Sequence, residues 1–86
     1  MPERAVFTTA NGTTIEGEFG EDGEDIVFLV SGRPRRPVDL PPGRLVLTVP
    51  HRTLRAAALV QRAMRAGFDA RLTCEEAMHR HSVRRW

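Results

Sequence analysis

Cysteine and histidine side chains near the end of the chain are the residues best suited to metal chemistry. Cys74, His79 and His81 lie close together in the sequence. On a helix, His79 and His81 would point about 200° apart and could not bind one ion together. No CxxC or HxxxH pair accompanies them. The spacing therefore predicts no metal site and no cofactor, and it predicts that Cys74 is a small buried hydrophobic residue.

Catalysis by a nucleophile would need a base within reach and a third group that orients the base. The three histidines, His51, His79 and His81, have no glycine elbow, phosphate loop or paired-acid motif beside them. We therefore expect no enzymatic activity. A small enzyme or metal protein built around these histidines is the third of three functional hypotheses.

Arginine and proline are concentrated in residues 31–43, SGRPRRPVDLPPG. The GRPRR segment resembles the core of the AT-hook, which lies extended in the minor groove of AT-rich DNA. Proline fixes an extended backbone, glycine permits close approach, and arginine is drawn to the negative groove. The resemblance implies DNA contacts by Arg33, Arg35 and Arg36. The simpler interpretation is a stiff, exposed connector that separates two strands.

A first helix is predicted from about residue 50 to residue 66, because Pro50 is accepted in a first turn and Gly67 can end the last one. Four apolar side chains fall within one arc, which we expect to face the core: Leu54, Val60, Met64 and Phe68. Four arginines fall on the other side: Arg52, Arg55, Arg62 and Arg65. Leu59 lies among them, and a leucine framed by arginine stems is typical of a protein contact. The alternatives are a phosphate-binding strip and a solvated outer face.

Acidic residues cluster in residues 20–25, GEDGED. Their spacing does not match a calcium-binding loop, so the segment predicts a charged turn. Such a turn would repel anionic partners or attract the arginines of another copy of the chain.

The chain has 86 residues, enough for one small domain over residues 1–86. All 13 basic residues are arginine, yet the net charge is only +2, which is weak evidence for a nucleic-acid partner. A single cysteine excludes an internal disulfide, and neither a signal peptide nor an apolar run of about 18 residues is found. We therefore expect a cytoplasmic protein of bacterial or phage origin that has no membrane partner.

Residues 1–50 are predicted to form strands and turns, and residues 51–86 to form helices. AVFTT and TTIEGEF flank the turn signal Ala10-Asn11-Gly12. A three-residue loop with Gly12 left-handed would place Phe7 opposite Ile15 and collect the apolar side chains on one face. DIVFLVS is typical of a central strand that is covered on both faces, and RLVLTV supplies the last strand.

Thr73 and Glu76 form a capping box, which predicts the start of a second helix. The inner face of this helix would carry Cys74, Ala77, Met78 and His81. The strand rhythm of NGTTIEGEF followed by EDIVFLV is similar to strands 1–3 of SH3-like and Sm-like barrels, which implies a small curved sheet. The predicted fold class is α+β: a four-stranded, mostly antiparallel meander followed by a C-terminal helical hairpin packed on it.

The preferred functional hypothesis is a small non-enzymatic interaction or regulatory module that binds a protein partner or a second copy of itself, with no small-molecule substrate. Its contact surface would combine the Arg-rich helix face, the Pro-rich loop and the C-terminal Trp, with these contact residues: Arg55, Leu59, Arg62, Arg65 and Trp86. The alternative is a nucleic-acid-binding module that uses Arg33, Arg35, Arg36 and Arg52.

Overall fold

The structure, a computed structural model, describes residues 3–75. Within this part of the chain there are six strands and one α-helix. The strands are β1 (Arg4–Thr9), β2 (Thr14–Asp22), β3 (Asp25–Val30), β4 (Arg33–Arg35), β5 (Gly43–Val49) and β6 (Ala70–Cys74). The helix, α1 (Leu54–Arg65), connects β5 to β6, and a 3-10 turn over Pro37–Asp39 precedes β5.

All six strands belong to one mixed sheet with the order β4-β3-β2-β1-β5-β6. Strands β1 to β4 form an antiparallel meander, β5 returns to pair with β1, and β6 lies parallel to β5. The predicted four-stranded sheet with a helical hairpin is therefore wrong. The structure adds β4 and β6 to the sheet, and residues 3–75 contain a single α-helix.

The second helix was predicted to begin at Thr73, but Thr73 and Cys74 lie in β6. The free edge of β5 offers backbone partners to this segment, and Leu45 N donates to Asp69 O at 2.8 Å. Leu72 pairs with the fully buried Leu47 and packs against the core, so residues 70–74 alternate between the inner and outer faces. The rest of the predicted helix lies outside the described residues.

The β1–β2 hairpin has the predicted register. Phe7 is paired with Ile15, and Ala5 with Gly17. Thr9 N donates to Thr13 O at 2.8 Å and closes the three-residue loop, in which Gly12 has a φ of +91°. The prediction of a left-handed Gly12 is therefore confirmed.

The β3–β4 hairpin was not predicted. Ser31 and Gly32 have φ values of +52° and +77° and form its two-residue turn between the paired residues Val30 and Arg33. Pro34 is tolerated because β4 is an edge strand, where a residue without an N–H need not donate to a neighbour. The segment predicted to be a connector is therefore partly a strand.

The core lies on the face of the sheet that α1 covers. Its fully buried side chains include Phe28, Ile26, Leu45 and Leu47. Helix α1 contacts both β3 and β6, although four strand spacings of about 4.8 Å separate these strands within the sheet. The 12-residue helix, about 18 Å long, therefore spans most of the distance between these two strands. On β3, Val27 is also buried, so the predicted coverage of both faces is confirmed where the strand begins.

Helix α1 begins at Leu54 and not at residue 50, because the Thr53 side chain caps it by accepting a hydrogen bond from Ala56 N at 3.0 Å. Its end is as predicted. Gly67 has a φ of +108°, and Phe68 N donates to Ala63 O at 3.0 Å in a Schellman arrangement. Phe68 folds back into the core.

The predicted buried arc of α1 is only half correct. Val60 and Phe68 are buried, but Leu54 is 91% exposed and Met64 is 56% exposed. The helix instead buries Ala56, Val60 and Ala63. Two alanines on the buried face let the helix lie close to the sheet. With this face turned inward, Leu54 and Met64 are left exposed.

Candidate partner-binding surface

A groove runs between α1 and the β2–β3 hairpin and encloses about 230 Å³. We call it the helix groove. Its lining residues come from three parts of the chain: Glu3, Phe19, Gly20, Glu21, Ile26, Arg55 and Leu59. Two residues predicted to contact a partner, Arg55 and Leu59, therefore lie side by side on one wall.

The helix groove combines an apolar floor with a charged rim. Phe19 and Ile26 belong to the buried core, and the partly buried Leu59 packs against them. Glu3, Glu21 and Arg55 supply the charged groups. A volume of about 230 Å³ is below the roughly 300–1,000 Å³ typical of sites for drug-sized molecules. The groove is better suited to one large side chain of a partner protein, with Arg55 placed to bind a carboxylate.

The outer face of α1 extends this surface. Leu54 and Met64 are among the most exposed large apolar residues of the described chain. The helix sequence LRAAALVQRAMR contains no acidic residue. Arg55 and Arg65 are exposed and have no ion pair within residues 3–75. Arginine and methionine are both enriched at protein interfaces.

Arg62 was predicted to contact a partner, but it contacts the acidic hairpin of its own chain. Its guanidinium donates to Glu21 Oε1 at 3.1 Å and to the backbone oxygen of Glu24 at 3.0 Å. The acidic turn predicted for residues 20–25 thus lies at the β2–β3 connection, where Gly23 has a φ of +65°. Arg62 therefore holds α1 against this turn.

Removing the Arg62 charge tests this structural role. We expect Arg62→Gln to lower the free energy of unfolding by about 0.5–1 kcal/mol at low salt, because an exposed ion pair and one hydrogen bond are lost. The difference should shrink as salt is raised, since ions screen exposed charges. Urea denaturation at two salt concentrations measures it. The control is Arg55→Gln, which removes the same charge without an ion pair, and an equal loss in both variants would contradict the assignment.

The three arginines of the GRPRR segment do not form one surface. Arg33 and Arg35 lie two apart on β4 and so share a face of the sheet. Arg36 pairs instead with Asp22 and, at 3.3 Å, with Asp25. Its backbone N also donates to Asp39 Oδ2 at 3.0 Å. The structure therefore separates the predicted nucleic-acid contacts into a pair on the sheet edge and an internal ion-pair network.

The Pro-rich loop and the end of α1, which are distant in sequence, meet in the structure. Pro37 lies next to Gly67, where an added Cβ would be 3.4 Å from Pro37 Cγ. A second depression of about 390 Å³ lies here between Arg36, Val38 and Arg65. Val38 is 86% exposed, so an apolar side chain stands beside Arg65. Arg52 lies at the other end of the helix, exposed, one residue before the Thr53 cap.

Cys74 contributes no site among residues 3–75. Cys74 was expected on the inner face of a helix, but it is a partly exposed strand residue whose Sγ contacts Pro50 O at 3.6 Å. Within residues 3–75, no three His, Cys, Asp or Glu side chains are grouped to hold a metal ion. His79, His81 and Trp86 lie outside the described residues.

Sequence reasoning missed the sheet side of the helix groove. The sequence around Phe19 and Ile26 predicts strands, and the sequence around Glu21 predicts a charged turn. No local signal in the sequence shows that α1 would lie beside these residues. Comparison with protein-family models, with curated proteins and with solved structures yields no match for this chain. No helix within residues 3–75 is long and apolar enough to cross a membrane.

Proposed function

We propose that this protein is a non-enzymatic protein-binding module whose contact surface is the outer face of α1 together with the helix groove. The observation that carries the proposal is Leu54, which is 91% exposed on a helix that carries unpaired arginines and no acid. Covering a large apolar side chain with a partner removes its surface from water, and this lowers the free energy of the complex.

The charges of the surface specify the partner. Arg52 just before α1, and Arg55 and Arg65 on the exposed side of α1, have no ion pair among residues 3–75. The partner is therefore a protein segment that places an apolar or aromatic side chain in the groove and carboxylates against these arginines. Arg62 is not part of this contact, because it is already bound to Glu21 and Glu24.

The nucleic-acid alternative has less support from the geometry. Arg36 is neutralised by Asp22 and Asp25, which leaves Arg33 and Arg35 as the predicted DNA contacts of the loop. No aromatic side chain is exposed beside them on β4 for base stacking. The two proposals nevertheless predict different critical residues, so one experiment separates them.

The test uses a labelled peptide with one central tryptophan flanked by glutamates, and the same peptide with lysines in place of the glutamates. We expect the acidic peptide to bind and the basic peptide not to bind. Arg55→Glu should weaken binding by about tenfold or more, because it replaces an attraction with a repulsion. Leu54→Ser should weaken it as well. Fluorescence anisotropy measures each dissociation constant.

Arg33→Glu is the matched control, because it makes the same charge change away from α1. It should leave peptide binding unchanged. A labelled single-stranded DNA oligonucleotide is measured in parallel. If the oligonucleotide binds, loses affinity steeply with salt and depends on Arg33 rather than Arg55, the protein-binding proposal is overturned in favour of nucleic acid. Equal binding of both peptides would also overturn it.

A further inference from the structure

The two edges of the sheet differ in how they are protected against pairing with another chain. Strand β4 has three residues and contains Pro34, both of which discourage edge-to-edge pairing. Strand β6 has five residues, ARLTC, with neither proline nor glycine. Within the described residues, no strand pairs with its outer side. The β6 edge is therefore the one suited to accept another strand.

The backbone direction in β6 identifies the groups that face this edge. Asp69 O accepts from Leu45 N on β5. Backbone groups alternate along a strand, so Arg71 and Thr73 also face β5, while the N–H and C=O groups of Ala70, Leu72 and Cys74 face the open edge. These residues are spaced as an added strand requires.

We propose that the occupant of this edge is a second copy of the chain, paired antiparallel through β6 about a two-fold axis at Leu72. In this register Leu72 faces its own copy, and Ala70 faces Cys74 of the copy. All three positions are those whose backbone groups point outward, so about six hydrogen bonds form. A register centred on Thr73 would pair only Leu72 with Cys74 of the copy within residues 70–74, so it would form about four hydrogen bonds instead of six.

The side chains are compatible with the same register. Arg71 would lie opposite Thr73 of the copy on the outer face, so no like charges meet across the axis. On the inner face, the partly buried Leu72 would be covered by its own copy. The symmetry makes one short segment complementary to itself, which is the requirement for a closed dimer.

Helix α1 supports the choice of a second copy over an unrelated peptide. Arg55 and Arg62 lie on the side of the helix toward the β2–β3 hairpin. Met64 lies about 180° from Arg55 around the helix axis, on the side toward β6, and it is 56% exposed. In the two-fold arrangement both helices lie on one face of the joined sheet. Met64 would then face the α1 of the other copy, whereas a single added strand would leave it uncovered.

The test measures the mass of the full chain in solution by sedimentation over a range of concentrations. We expect a species of twice the 9.7 kDa chain mass. Thr73→Arg places an arginine opposite Arg71 of the copy twice, and it should raise the dimer dissociation constant by about tenfold. Thr73→Glu places an acid there and should lower this constant. Because the two substitutions act in opposite directions, misfolding cannot produce both results.

Thr14→Arg is the control, since it makes the same substitution at an exposed position of β2, three strands from β6. It should leave the dimer unchanged. A wild-type chain that stays monomeric at all concentrations, or equal shifts for Thr73→Arg and Thr73→Glu, would overturn the proposal. The peptide-binding surface of α1 does not depend on this dimer, so either result leaves the proposed function to its own test.

Discussion

Replacing Phe28 with alanine should lower the free energy of unfolding by about 3–5 kcal/mol, the largest effect expected of a single substitution in this protein. Phe28 has no exposed surface. Its ring contacts the ring of Phe7 at a centroid distance of 6.3 Å and lies over Gly17. Truncation would leave a cavity between β1, β2 and β3 that the closely packed neighbouring side chains cannot fill by a small movement.

Chemical denaturation followed by circular dichroism measures this loss. The free energy of unfolding of a domain of this size is roughly 5–10 kcal/mol, so the variant should lose much of its stability. Leu54→Ala is the matched control, because it also truncates a large apolar side chain but at an exposed position. It should change stability by less than about 0.5 kcal/mol. Similar losses in the two variants would contradict the assignment of Phe28 to the core and Leu54 to a contact surface.

Gly17→Ala should lower the free energy of unfolding by about 2–3 kcal/mol, because the added methyl group overpacks the core. A Cβ at Gly17 would lie next to Leu29 O and 2.7 Å from Phe28 Cε1. The first of these atoms is backbone in the neighbouring strand, so relief requires β2 and β3 to separate locally. The absence of a side chain at Gly17 therefore leaves room for the Phe28 ring.

Gly20→Ala provides the comparison within the same strand. An added Cβ there would also be crowded, at 2.6 Å from Leu29 Cδ1, but all of its near neighbours are side-chain atoms of Leu29. Because Leu29 can change rotamer, we expect the loss to be less than half that of Gly17→Ala. Thermal unfolding measures the stability of both variants. A larger loss of stability for Gly20→Ala than for Gly17→Ala would show that crowding against the backbone is not the cause.

Local signals explain the parts of the fold that the sequence predicted. The Phe7–Ile15 register follows from alternating apolar residues around a turn whose Gly12 accepts a positive φ. The end of α1 follows from Gly67 and an apolar residue after it. Both features involve residues within about ten positions of one another, where pattern and turn chemistry act together.

The two missed strands depend on partners that are distant in sequence. Strand β4 was read as a connector because Pro34 argues against a strand, although Ser31-Gly32 is a turn signal. Strand β6 was read as a helix start because Thr73 and Glu76 match a capping box. The alternation of Ala70 and Leu72 with Arg71 and Thr73 is also present in the sequence. The alternating strand pattern, and not the capping box, determines the structure of residues 70–74, because β5 offers an unpaired edge to this segment.

The candidate site was predicted on its helix side only. Arg55 and Leu59 were identified from the arginine pattern, and both line the helix groove. Arg62 was placed in the same group because residues three or four apart share a helix face, but the sequence does not show that Glu21 lies opposite it. Leu54 is exposed because α1 turns Ala56, Val60 and Ala63 toward the sheet, and the apolar pattern of the helix alone does not favour this face over the one with the larger side chains.

The pairing of β1 with β5 has a consequence for how the chain folds as it is synthesised. Hairpins β1–β2, β2–β3 and β3–β4 pair residues that are close in the sequence. The pairing of β1 with β5 joins distant residues, such as Ala5 and Leu47, so it can form only after β5 has been synthesised. Until residues 43–49 leave the ribosome, the second edge of β1 and its apolar side chains have no cover, which exposes the nascent chain to aggregation. We expect the pairing of β5 with β1 to be the slow step of folding. The chain between them loses conformational entropy on loop closure before the stabilising contacts form.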